Sequence, residues 1–170
     1  MASIGNNLVA LTAMARALRK TLRQKKSRRS HISGWIIAVL GGLLVFKTGM
    51  DSTGISFQMV ITGLAVLLIV VVLIWEDAIN GYVAGKRALP GTENVITVFN
   101  EEGFVSTTDI GKTEWRYEKI NAVAETSDFF FFIFSANHAQ VYDKNAVSGG
   151  SVDEFRGFIE EKTEKRVQKV

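Results

Sequence analysis

The chain has 170 residues, 47% of them hydrophobic, and a formal net charge of +3. That length suits one or two small units. No cysteine is present, which excludes disulfides, thiol catalysis and Cys-ligated zinc or iron–sulfur sites.

The charge is unevenly placed. No acidic residue precedes Asp51, whereas Arg16, Arg19, Lys20, Arg23, Lys25, Lys26, Arg28 and Arg29 crowd into one short stretch. Within residues 1–31, Leu8, Leu11, Ala15, Leu18 and Leu22 recur at spacings of three and four, the period of an amphipathic helix. The arm is expected to lie at a membrane surface, with these eight cations contacting lipid headgroups and setting topology. A basic run can also bind a protein or nucleic acid. Adjacency to an apolar segment favours the membrane, and no nucleic-acid partner is expected.

Residues 32–80 read as a hairpin of two transmembrane helices, at about 32–50 and 55–77. The second carries only Ser56, Gln58 and Thr62 as strongly polar side chains between Ile55 and Trp75. About 20 apolar residues suffice to cross a bilayer core. The first has Lys47 near one end, where its ammonium can reach the headgroups. Trp35 and Trp75 would mark one interface. The short connection has no Lys or Arg beyond Lys47 at its edge, and Lys86 and Arg87 follow the second helix. Both termini are therefore expected on the cytoplasmic side. Gly34, Ala38 and Gly42 repeat every four residues and allow close helix approach. The expected contact is the second helix of the same chain, with a homodimer face as the alternative.

Gly81, Gly85, Pro90 and Gly91 mark residues 81–93 as a linker that breaks the helix. The period then changes to that of short strands: Asn94–Phe99, Phe104–Ile110, Thr113–Tyr117, Ile120–Glu125, Phe129–Phe134 and His138–Tyr142. Ser151 and Glu154 have capping-box spacing. They open a closing helix with Val152, Phe155, Phe158 and Ile159 on one face, and the tail from Lys162 to Val170 extends or frays it. The class expected for 94–170 is α+β, a small antiparallel sheet capped by a helix. Strand geometry sends alternate rings of the aromatic run to opposite faces. Either the strand is buried on both, or one aromatic face is free. In the second case Trp115, Phe129, Phe130, Phe131, Phe132 and Phe134 form an interaction surface.

No catalytic or metal-binding pattern is legible. His31 and His138 are far apart in sequence, and no phosphate loop, nucleophile elbow or zincin motif occurs. No enzyme, cofactor or metal is expected.

Several motifs resemble the YcxB-like bacterial membrane proteins: Phe99-Asn100-Glu101-Glu102-Gly103, then Glu114-Trp115-Arg116-Tyr117-Glu118-Lys119-Ile120, the aromatic strand from Asp128, Tyr142-Asp143-Lys144, and Val152-Asp153-Glu154-Phe155-Arg156. Asp143 stands where that family often has a proline. The resemblance implies a pleckstrin-homology-like (PH-like) domain, a bent antiparallel sheet with a C-terminal helix, and a place in the bacterial cytoplasmic membrane. It implies a non-enzymatic accessory or regulatory module that binds a protein partner or itself. Immunity against membrane-active peptide bacteriocins, and lipid or peptide binding, are the alternatives.

Overall fold

Two long stretches of this chain leave their apolar side chains uncovered by the rest of the molecule. The computed structural model describes residues 2–4, 7–51, 54–92 and 94–170. Helices α2 (Gln24–Asp51) and α3 (Phe57–Arg87) follow a strand β1 (Ala2–Ile4) and a helix α1 (Leu8–Lys20). Gln24–Met50 of α2 and the whole of α3 are 27 and 31 residues long, and almost none of the most apolar portion of either is buried within the chain. At 1.5 Å per residue these lengths exceed the roughly 30 Å of a bilayer core. A helix in a soluble core would be covered, yet Leu44 and Leu68 keep 61% and 64% of their surface exposed. This is a membrane protein.

Small residues bring α2 and α3 together. A side chain at Gly34 would stand 2.7 Å from Leu73 Cδ2, one at Gly41 would stand 2.6 Å from Val66 Cγ2, and Ala38 between them is buried. Gly42 meets nothing within 4 Å. The packing face is thus Gly34, Ala38 and Gly41, and the expectation for Gly42 is corrected. Steps of four advance about 40° past a full turn each time, so a third small residue at that spacing rotates away. A step of four followed by one of three returns to the same face.

Helix α3 does not stop at the expected linker. It kinks at Trp75 (φ −102°, ψ 18°) and runs on through Gly81 and Gly85 to Arg87. Leu89, Pro90, Gly91 and Thr92 then form the turn: the Thr92 N–H donates to the Leu89 carbonyl at 3.2 Å, and Gly91 takes φ 82°. Proline second and a left-handed glycine third is the type II pattern.

The two glycines serve packing. A Cβ on Gly81 would lie 2.7 Å from the backbone nitrogen of Thr12 and one on Gly85 would lie 3.2 Å from Leu11, both on α1. Arg19 secures the pair, its Nε and Nη2 donating to the two Asp77 carboxylate oxygens at 2.8 and 2.6 Å. On its sheet side, α1 contributes Ala10, Ala17 and Leu18 to a cluster with Ala122, Ala124, Phe129, Phe131, Ile133 and Val141. Leu11 and Leu18 of the expected apolar face are therefore covered by protein, whereas Leu8 and Leu22 stay exposed.

The sheet comprises β2 (Asn94–Phe99), β3 (Gly103–Thr108), β4 (Gly111–Arg116), β5 (Ala122–Glu125), β6 (Phe129–Ser135), β7 (His138–Asp143) and β8 (Val167–Lys169), besides β1. The order is β4-β3-β2-β1-β7-β6-β5-β8. Two antiparallel meanders, β2–β4 and β5–β7, are joined by β1, which pairs with β2 at Asn94–Ile96 and with β7 at Tyr142. Helix α4 (Val152–Thr163) has the expected capping box, with Ser151 Oγ accepting from the Glu154 N–H at 3.2 Å and Glu154 Oε2 from the Ser151 N–H at 2.6 Å. It ends at Glu164 in the left-handed region (φ 55°). The tail is not a helical extension: β8 runs parallel to β5, Val123 opposite Val167. Asp143, where a proline was the family habit, turns the chain by accepting from the Asn145 N–H at 2.8 Å.

Alternation decides the aromatic run. Phe130, Phe132 and Phe134 enter a core with Phe104, Tyr117, Ile120, Val123, Tyr142 and Ile159, flanked by Phe155 and Phe158 of α4. Phe129 and Phe131 enter the core under α1. All five phenylalanines are buried, so they form no interaction surface; α1 and α4 occupy both faces of the strand.

One buried charge set locks this arrangement. The Glu125 side chain, 4% exposed, meets Lys144 Nζ at 2.7 Å and Arg156 Nη2 at 3.0 Å. The two cations lie 4.7 and 5.9 Å from the Phe130 ring centre. Burial pushes the Glu125 carboxyl up, but the bonds from Arg156 and Lys144 outweigh it and hold it below its ordinary 4.5.

Two outcomes follow. Gly81→Val should cost about 1–3 kcal/mol, because a backbone neighbour cannot yield. Gly63→Val, where no atom lies within 4 Å, should leave the thermal midpoint in mild detergent nearly unchanged. Glu125→Gln should cost about 3–5 kcal/mol by stranding two cations in a buried site. Because the folded carboxyl titrates below the unfolded one, its contribution is complete above pH 4.5 and is lost as pH falls below that value. Acid unfolding followed by tryptophan fluorescence should show this loss in the native chain and lack it in the variant.

Candidate functional site

Two polar surfaces lie at opposite ends of the strand order. The first is built on the β2–β3 turn. Asn100 N–H donates to the Gly103 carbonyl at 2.8 Å, closing the turn and holding Glu101 and Glu102 at its tip. A side chain at Gly103 would collide with the Trp115 carbonyl, so glycine lets β3 approach β4 here. The result is an open cleft of about 840 Å³ with Glu101, Glu102, Glu114 and Arg116 on its rim and Phe99, Phe104, Trp115 and Phe158 along its apolar side.

Trp115 is the one residue of the expected aromatic surface that stays partly exposed. Its ring centre lies 4.4 Å from Phe134 and 5.4 Å from His138. Its indole Nε1 is buried and has no hydrogen-bond partner among the described residues. Next to the cleft, the Tyr117 hydroxyl donates to the Asn100 carbonyl at 2.7 Å. Burial, reinforced by the charge of Glu101, pushes that phenol up to about 12. It is held neutral as a donor. Glu101 pairs with Lys162 and raises the ammonium above its ordinary value by that bond. Glu114 lies 3.6 Å from Lys112, and Glu102 has no cation partner among the described residues, so the lining itself carries three carboxylates against the one guanidinium of Arg116.

The second surface surrounds the break between α1 and α2. The expected lipid-contacting cations separate into two groups here. Arg16 and Arg19 are drawn to Asp77 at 3.5 and 2.6 Å. Arg23 donates through Nε to the Ala136 carbonyl at 2.6 Å and through Nη2 to Asn137 Oδ1 at 2.5 Å, on the β6–β7 turn. Lys20, Lys25, Lys26, Arg28 and Arg29 remain exposed. His31 Nε2 bonds Glu76. A cleft of about 550 Å³ opens between the start of α2 and β8.

The sequence reading missed four positions. Asp77 and Glu76 read as helix-end residues, yet they hold Arg19 and His31. Glu125 ends a strand like any exposed glutamate; only the distant Lys144 and Arg156 give it a role. Lys169 lies in the tail expected to be helical. Among the described residues, no three His, Asp or Glu side chains gather as metal ligands would.

No curated protein and no solved structure matches the chain. A family model described as YcxB-like protein matches residues 99–159. That segment runs from the end of β2 into α4, and it holds the acidic cleft and the Glu125, Lys144 and Arg156 set. The two apolar helices lie outside it. Over these residues the chain is similar to the YcxB-like family, the family that its motifs resemble.

Proposed function

We propose that this is a non-enzymatic protein of the bacterial cytoplasmic membrane, with two spans and both termini inside, whose PH-like domain docks another protein through the cleft beside β4. The eight cations ahead of the apolar portion of the first long helix, four of them within its opening turns, against none in the connection after Lys47, support the orientation. Two three-stranded meanders closed by α4 support the PH-like reading.

The observation that carries the docking role is the cleft itself: an acidic rim over an aromatic wall, on a domain fastened to the membrane helices by α1. Strand β4 is an edge of the sheet, paired only with β3 among the described strands. An extended segment can add to such an edge through its main chain, while pockets read its side chains. Glu101, Glu102 and Glu114 favour a cationic segment. Trp115 offers a partly exposed ring for a cation or an apolar side chain. The reading therefore names the partner's chemistry: a basic, extended segment of another protein.

A benzophenone amino acid placed at Thr113, exposed on β4, tests it in intact membranes. The expected result is one discrete cross-linked adduct, lost when Glu101→Lys and Glu102→Lys are combined, with the membrane level of the protein unchanged. The lost Glu101–Lys162 pair lies at the surface, where water screens the attraction, so the fold should persist. No adduct, or an adduct indifferent to the charge reversal, would refute the reading.

A further inference from the structure

The cleft between α2 and β8 is separate from the proposed docking surface and different in charge. Arg19, Lys20, Gln24, Ser27, Arg28 and His31 line it from the helices, and Gln168, Lys169 and Val170 from β8 and the residue after it. Arg19 is neutralised by Asp77, and His31 is bonded to Glu76. Lys20, Arg28 and Lys169 have no acidic partner among the described residues. Three uncompensated cations therefore share one concavity with an amide and a hydroxyl that can complete an oxyanion's hydrogen bonds.

Its depth is set by the helices. His31 lies one turn before Trp35 on α2, and its partner Glu76 adjoins Trp75, where α3 kinks. Tryptophan rings prefer the boundary between acyl chains and headgroups. On the two-span reading, to which this inference is tied, the cleft runs from His31, about one helical turn (5.4 Å) from that boundary, to Arg28, about two turns from it, and the long Arg28 side chain can reach back toward it. Lipid phosphates lie at that depth.

We infer that this cleft is a specific site for the phosphate of an anionic lipid headgroup. Lys20 and Arg28 hold it from the helical side and Lys169 from β8. The ligand would join the start of α2 to the last strand of the sheet and fix the domain against the bilayer. This is more than the general attraction of a basic segment to an anionic surface. Lys25, Lys26 and Arg29 are equally cationic and close in sequence, yet none of them lines the cleft.

That difference supplies the test. The purified full chain, delipidated in a mild detergent, is titrated with phosphatidylglycerol and with phosphatidylcholine, and bound lipid is counted by native mass spectrometry. The native chain should prefer the anionic lipid by at least about tenfold. Lys20→Gln, Arg28→Gln and Lys169→Gln together should abolish the preference. Lys25→Gln, Lys26→Gln and Arg29→Gln, which remove the same charge, should change it by no more than roughly twofold. Equal losses in the two triple variants would reduce the site to diffuse surface charge and overturn the proposal. So would an unchanged preference in the cleft variant. Glycerol phosphate distinguishes the source: if it binds as tightly as the lipid, the site belongs to a soluble phosphate and the lipid assignment fails. None of these outcomes depends on the cross-link at β4, so the two readings stand or fall separately.

Discussion

Helix α1 fills the space between two surfaces that would otherwise be unfinished. On one side, α3 extends beyond its apolar portion from Glu76 to Arg87, with Gly81 and Gly85 turned toward Thr12 and Leu11. On the other, Phe129, Phe131 and Ile133 of β6 need a cover. The helix meets both demands with small residues where backbones come close and with Leu11 and Leu18 where there is room. Arg19 and Asp77 fix its rotation with a bidentate pair, in which the planar fork of the guanidinium matches the two carboxylate oxygens. Without α1 the sheet would expose an apolar face, Phe129 and Phe131 among aliphatic neighbours, to water, at roughly 25 cal/mol for each Å² of apolar surface left uncovered.

A constraint on folding follows from this placement. Strand β1 and helix α1 precede both apolar helices in the chain, yet they pair with β2 and β7 and pack on β6, all of which come after them. The domain is thus completed by residues that precede the membrane segments in the chain. Such contacts between distant parts of the chain cost loop-closure entropy before they stabilise anything. Once made, they join the domain to the base of the helices, so the sheet does not hang from a flexible tether. The linker expected at 81–93 reduces to one four-residue turn between α3 and β2.

What the sequence disclosed was local. The strands, the capping box and the apolar helices all announce themselves within a few residues, because period, caps and length are properties of a short window. Partners are not. The spacing of Leu8, Leu11, Ala15 and Leu18 reports that one face of α1 is covered but not whether lipid or protein covers it. Alternating phenylalanines look the same whether one face or two are packed; α1 and α4 decided that. Gly81 and Gly85 resemble helix breakers until a second helix is seen against them. The three residues of β8 carry no pattern at all, since their pairing depends on β5. The acidic cleft was only half legible: its motif was noticed as a turn and a tryptophan strand, while the pairing of Gly103 with Arg116 that brings them together is a matter of register.

Charge sorts the remaining surface. Glu125 is enclosed, and its attraction for Lys144 and Arg156 acts through a low dielectric where an unpaired partner is costly. Its service is structural. Glu101 and Glu102 stand in water, where the same attraction is weak and salt-screened. They add little to stability, and their clustering on one rim is not explained by it. The same contrast holds at the other end, where Asp77 consumes Arg19 but leaves Lys20 and Arg28 unmatched. The acidic rim belongs to β4 and the basic cleft to β8, the two ends of the strand order. An anionic bilayer would attract the second and repel the first within a Debye length of about 8 Å at physiological salt. On the proposed reading, the polarity that would draw one edge of the sheet to the membrane would also turn the acidic edge toward solvent, within reach of a basic partner.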